Sequence, residues 1–128
     1  MYAVAVRRDF IAQHYLVGGE WGAENELHSH HYQVEVRLEG TGLDQHGYLV
    51  DIVAIEQALD HVVSRFRDCT LNDQAEFEGL NPSIEHFSRI LWTGFKRSLS
   101  AVNLQAITVR LWENEIAWAE FRALLGEG

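Results

Sequence analysis

The chain contains a single cysteine, Cys69, a single proline, Pro82, and a single methionine among 128 residues. A lone cysteine cannot close an internal disulfide, so the fold must hold without covalent staples, and a reducing, cytoplasmic setting is the expectation. One proline, with no repeat, low-complexity run or linker, marks no hinge, and a single domain over 1–128 is expected. Positive charge is also scarce: ten Lys and Arg face 19 Asp and Glu, for a net charge of −9. The arginines are scattered, among them Arg7, Arg8, Arg65, Arg67, Arg89 and Arg110, so no basic patch offsets that charge, and no nucleic-acid partner is expected. No apolar run approaches the ~20 residues needed to cross a bilayer. The first residues lack the signal-peptide order of a basic segment followed by an apolar one. No membrane partner is expected either. What is present is a chain 47% hydrophobic, large enough to bury a core of its own.

The most informative stretch is His28-Ser29-His30-His31-Tyr32, which leads into Gln33-Val34-Glu35-Val36-Arg37-Leu38. Apolar and polar residues alternate there with the period of a half-buried strand. Successive strand side chains point to opposite faces, so His28 and His30 share the inward face with Tyr32, Val34 and Val36. Paired imidazoles on a sheltered face suit zinc, whose nitrogen ligands bind at about 2.0–2.1 Å. An H-x-H pair alone is more often structural or solvated. A third imidazole, His14, ends the alternating segment Phe10-Ile11-Ala12-Gln13-His14 and falls on the face of Phe10 and Ala12. Two neighbouring strands thus offer three ligands with one position open, the pattern of a catalytic rather than a structural zinc.

The first strand is expected over Tyr2–Ile11, followed by a loop with Gly18, Gly19 and Gly22, and the second strand ends at Glu39-Gly40-Thr41-Gly42. Asp51 is placed to cap a helix whose stripe is Ile52, Ile55, Leu59, Val62 and Phe66. Thr70 to Leu80 reads as a connector. Asn81 as cap and Pro82 at the first helical position open a second helix, with Ile84, Phe87, Leu91 and Phe95 in phase and Gly94 inside it. Ile107, Val109 and Leu111 alternate with polar partners, and Ile116–Ala123 is β-prone; Asn114-Glu115 between them suggests a hairpin. The order ββααββ gives an α+β layer, four antiparallel strands backed on one side by two helices. Its open edges, with the large apolar surfaces of Tyr2, Trp21, Trp112 and Trp118, point to subunit association.

These residues resemble the 6-pyruvoyl-tetrahydropterin synthase and 6-carboxytetrahydropterin synthase (QueD) family. The likeness runs almost end to end: His14 after the first strand, the His28-x-His30 pair, Gly47-Tyr48-Leu49-Val50-Asp51, Leu71-Asn72, Asn81-Pro82-Ser83-Ile84-Glu85 and Leu111-Trp112-Glu113. The resemblance implies the tunnelling fold, or T-fold, whose trimers close a twelve-stranded barrel and stack as a homo-hexamer. It implies a zinc enzyme acting on a pterin derived from dihydroneopterin triphosphate, with His14, His28 and His30 as Zn²⁺ ligands. Glu113 matches the glutamate that anchors the pterin ring, since one carboxylate accepts two parallel bonds from an aminopyrimidine edge. An exposed glutamate at a hairpin turn is the plain alternative. Glu85 and Ser83 match a second pterin-contact motif, and are equally ordinary at the start of a helix.

Two features depart from the family. The family's catalytic cysteine, four residues before the first histidine of the pair, is replaced by Glu24, which is either a general base or part of a solvated acidic loop. The family's Asp-His pair falls on Arg67 and Asp68, while the same dipeptide occurs as Asp60-His61, about two helical turns earlier. The candidate proton-transfer groups are therefore Glu24, Asp68 and His61. Losing a general acid or base typically costs about 10²–10⁴-fold in rate. Three readings follow. The chain is a divergent zinc lyase, including a variant yielding 6-hydroxymethyl-dihydropterin as in the family branch that carries glutamate; or a non-catalytic module binding zinc and a pterin or purine; or a different chemistry on the same fold.

Overall fold

The computed structural model describes residues 1–126. Strand β1 (Tyr2–His14) is followed by β2 (His28–Gly40), helix α1 (Ile52–Phe66), helix α2 (Ile84–Ser98), β3 (Ala106–Trp112) and β4 (Trp118–Leu124). The sheet has the order β1-β2-β3-β4, antiparallel throughout. β1 and β4 are its edges. The order ββααββ is the one the sequence predicts, and the β3–β4 hairpin turns at Asn114, whose Oδ1 accepts from the amides of Ile116 and Ala117.

Period-two alternation assigns the faces. Phe10, Ala12 and His14 from β1, Tyr32, Val34, Val36 and Leu38 from β2, and Ile107, Val109 and Leu111 from β3 are buried against the helices. From α1 come Ile55, Leu59, Val62, Val63 and Phe66; from α2, Phe87, Ile90, Leu91 and Phe95. Near the histidine end of the sheet the core is aromatic. Phe87 lies edge-on to Phe10, Tyr32, Phe66 and Phe77, with ring centroids 5.3–5.8 Å apart. The opposite face of the sheet is charged, paired across strands in Arg7–Glu35 and Arg110–Glu120 and along β2 in Arg37–Glu39.

Four expectations shift. β1 runs three residues past Ile11, because its pairing with β2 continues through His14↔His28. Ile52 is half exposed rather than part of the buried stripe. α2 begins at Ile84 with Ser83 as cap, its hydroxyl accepting from the His86 amide at 3.2 Å. Asn81 cannot cap it, because its Oδ1 already accepts from the Val17 amide at 2.7 Å. β4 starts at Trp118, two residues later than the β-propensity suggests, leaving Ile116 exposed in the turn. Asp51 caps α1 as expected, accepting from the Val53 amide, and α2 passes through Gly94 without a break.

The connection between β1 and β2 is long and irregular, with one 3-10 turn at Gly22–Asn25. Asparagines hold it. Asn72 bonds both the amide and the carbonyl of Tyr15, Asn81 takes the Val17 amide, and Asn25 bridges Leu16, Gly19 and Trp21. Side-chain amides thus stand in for the ladder that a loop lacks. Among the described residues no helix is long and apolar enough to cross a membrane.

Phe87→Ala removes the ring on which the aromatic cluster converges. It is expected to lower unfolding free energy by about 3–5 kcal/mol, read as a shift in the denaturant midpoint at unchanged slope.

Candidate metal centre

The centre is made by strand register. His14 pairs directly with His28 across β1 and β2, and His30 stands two residues further along the same face of β2. The three ring centroids lie 4.6–4.8 Å apart, at steep mutual angles. Each ring offers one nitrogen to a shared space, and these ligand atoms fall within 4.8 Å of one another. The Nε2 atoms of all three histidines are buried and have no hydrogen-bond partner. Unpaired buried polar atoms are costly, and three converging together make a candidate metal site.

In His28 and His14 the opposite ring nitrogen is tied down. His28 Nδ1 lies 2.7 Å from the Glu26 carbonyl, which can only accept, so Nδ1 carries the proton and Nε2 presents a lone pair. His14 Nδ1 lies 3.0 Å from the buried Tyr32 hydroxyl, with the Pro82 carbonyl against the same ring. Burial, then the neighbouring His30 and His28, push the His14 pKa down to about 4, so that ring is neutral near pH 7. Burial, then the Glu113 charge, raise the Tyr32 pKa and keep its hydroxyl protonated. Neutral imidazoles oriented through the far nitrogen are the donor set that a divalent metal of the zinc type prefers.

Glu113, the residue after β3, reaches the rim. Its Oε1 lies 3.3 Å from His30 Nε2 and 3.9 Å from His14 Nε2, and its side chain is 28% exposed. The result is a sheltered triangle of nitrogen donors with one carboxylate on its open side.

Comparison with known proteins agrees with this architecture. A sequence model described as 6-pyruvoyl tetrahydropterin synthase matches residues 3–124. The chain belongs to the 6-pyruvoyl tetrahydropterin synthase family. An Archaeoglobus fulgidus protein provisionally named 6-carboxy-5,6,7,8-tetrahydropterin synthase is 27% identical over 119 residues, covering 93% of this chain and 94% of that relative. The 6-pyruvoyl tetrahydropterin synthase of Caenorhabditis elegans superposes with a TM-score of 0.75 at 21% identity, over 96% of this chain and 97% of that one. A Plasmodium vivax 6-pyruvoyltetrahydropterin synthase, substituted by alanine at a glutamate described as a catalytic residue, superposes with a TM-score of 0.73 at 14% identity, over 97% and 98%. The sheet backed by two helices is the T-fold of these family structures.

The remaining candidates lie in separate parts of the fold. Glu24 lies in the 3-10 turn, with its backbone carbonyl holding the Leu16 amide and its side chain exposed. Asp68 has a positive φ of 60° and donates its amide to the Ile11 carbonyl, so it borders β1 with its side chain in solvent. His61 is exposed on α1 and lines a groove between the two helices. None of the three belongs to the triangle of ligand atoms. Ser83 caps α2 and Glu85 is exposed in that helix's first turn, directly after Pro82, whose carbonyl touches His14.

Sequence reasoning did not single out Tyr32, the Glu26 carbonyl or the Pro82 carbonyl as supports of the centre. For Tyr32 a signal existed: a tyrosine two residues after the H-x-H shares its face, and a buried hydroxyl requires a partner. The two carbonyls carry no signal in the sequence, because a backbone oxygen looks the same at every residue.

His14→Ala and His28→Ala are each expected to abolish stoichiometric binding of a divalent metal, measured by titration with elemental analysis of dialysed protein. Tyr32→Phe should keep the stoichiometry and weaken affinity by about 10–100-fold, the usual cost of losing a group that orients a ligand. Unchanged affinity in Tyr32→Phe would remove it from this role.

Proposed function

We propose that the protein is a zinc-dependent lyase acting on dihydroneopterin triphosphate or a closely related pterin. The observation that carries this reading is the set of three buried, unpartnered Nε2 atoms on adjacent strands, in a chain of the 6-pyruvoyl tetrahydropterin synthase family. His14, His28 and His30 are the residues that would hold Zn²⁺. Bound there, zinc supplies Lewis-acid polarisation of a hydroxyl on the pterin side chain.

The protein's own groups have separate tasks. Glu113 accepts two parallel hydrogen bonds from the amino-pyrimidine edge and fixes the ring; its Oε1, 3.3 Å from His30 Nε2, supports a substrate contact at the histidine cluster. Ser83 and Glu85 contribute from the start of α2, which begins next to His14. Glu24 is the proton acceptor, its Oε atoms taking a side-chain proton of the substrate. Its sequence position four residues before His28 supports this, as does the catalytic glutamate of the Plasmodium vivax enzyme. Asp68, bordering β1, is the second proton-transfer group, whereas His61 is assigned no part because it lines a separate groove.

Release of 6-hydroxymethyl-dihydropterin is the second reading, favoured by glutamate standing where the family's cysteine would be. We further infer a homo-hexamer built of two trimers. Free sheet edges support association, as does the 370 Å³ cavity beside β1, rimmed by exposed Tyr2, Leu43, Tyr48 and Ile52.

Zinc-loaded protein given dihydroneopterin triphosphate is expected to yield a pterin product whose mass identifies the reaction. Glu24→Gln should lower kcat by about 10²–10⁴-fold with zinc content unchanged, and Glu113→Ala should weaken pterin affinity at least tenfold. Pterin binding without turnover would replace the lyase with a binding module, and turnover indifferent to Glu24→Gln would remove it as the base.

A further inference from the structure

A second concave site lies outside the metal centre, in the groove of about 960 Å³ between α1 and α2. Its floor is Val62, Ile90 and Gly94, where a Cβ on Gly94 would sit 3.3 Å from Val62 Cγ1. The absent side chain lets the helices approach closely below while the walls stay apart above. His61 and Arg65 rise from α1, and Arg89 and Arg97 from α2. Arg89 and Arg97 are two helical turns apart, about 12 Å along the axis.

The charge of this groove runs against that of the molecule. Three arginines and one glutamate line it, a net of +2 in a chain of −9. Six of the nine arginines are ion-paired. Arg65 is among them, clasped by Glu76. Among the described residues Arg89 and Arg97 have no carboxylate partner, although the chain carries nearly two acids for every base. Among the described residues the only other arginine without a carboxylate partner is Arg67, outside the groove. The groove's cations are all guanidinium groups, planar forks suited to bidentate capture of phosphate oxygens. Its volume falls in the range of small-molecule sites. Arg89 is partly buried in the groove and Arg97 is exposed at its rim, and the concavity between two helices favours a small ligand over a flat acidic partner.

We propose that this groove binds a phosphate-bearing small molecule, an inorganic polyphosphate or a nucleotide, between Arg89 and Arg97 on one wall and His61 on the other. The site is separate from the metal centre and does not depend on the activity assigned there.

Calorimetric titration of the metal-loaded protein with pyrophosphate, and separately with ATP, tests it. Saturable binding is expected, with at least about tenfold loss of affinity in Arg89→Ala/Arg97→Ala and partial recovery in Arg89→Lys/Arg97→Lys. Metal content and pterin turnover should be unchanged in both variants. Binding of both probes makes phosphate the recognised group, and binding of ATP alone adds the nucleoside; either supports the site. No saturable binding at millimolar concentration, equal affinity in the alanine variant, or saturation only by a polyglutamate peptide would overturn it.

Discussion

The register of β1 on β2 is the constraint on which the rest depends. His14 sits opposite His28 because thirteen consecutive residue pairs hold that alignment, from Tyr2↔Gly40 to His14↔His28. A slip of one residue would turn Phe10, Ala12 and His14 to the charged face and bring Ile11 and Gln13 inward. Hydrophobic burial therefore enforces the histidine geometry: the same choice that hides Phe10 under Phe87 places three imidazoles within reach of one another. Fold and candidate site are not separate selections at this end of the sheet.

The surroundings convert proximity into a usable site. An imidazole free to rotate, or holding its proton on the wrong nitrogen, is a poor ligand. Here a carbonyl fixes His28 and a buried phenol fixes His14. The loop that supplies the Glu26 carbonyl is itself restrained by Asn25, Asn72 and Asn81. Side chains from the connector after α1 and from the start of α2 thus order a segment far away in sequence. That link makes the helical layer a support of the centre as well as its cover.

Much of this was legible in the residue pattern, and the exceptions have physical reasons. Alternation in Phe10–His14 and His28–Leu38 gave the two strands, their inward faces and the three histidines that cluster there. Stripes of three and four gave both helices. The start of α2 was misplaced because Asn81, Pro82 and Ser83 each suit a helix entrance; only the Val17 amide, 64 residues away, decides that Asn81 serves the loop instead. Ile116 read as strand because β-propensity ignores the Asn114 side chain that bends the chain there. The groove between the helices was unreadable, since Arg89 and Arg97 look scattered until α1 and α2 are brought side by side. The candidate proton-transfer groups carry no such signal, because the side chains of Glu24 and Asp68 are exposed and no packed partner betrays a task.

Four is an even number, and parity matters at the margins of this sheet. With every neighbour antiparallel, β1 and β4 point in opposite directions along the same layer. Copies placed around a rotation axis, each offering β4 to the next copy's β1, would keep alternating direction at every seam, so the backbone ladder could continue without a single parallel joint. A three- or five-stranded relative would be forced into a mixed sheet at each junction. The ββααββ topology thus leaves ring closure topologically free, and the tie of Asp68 and Cys69 to the far end of β1 marks how much of that strand remains for a neighbour to use.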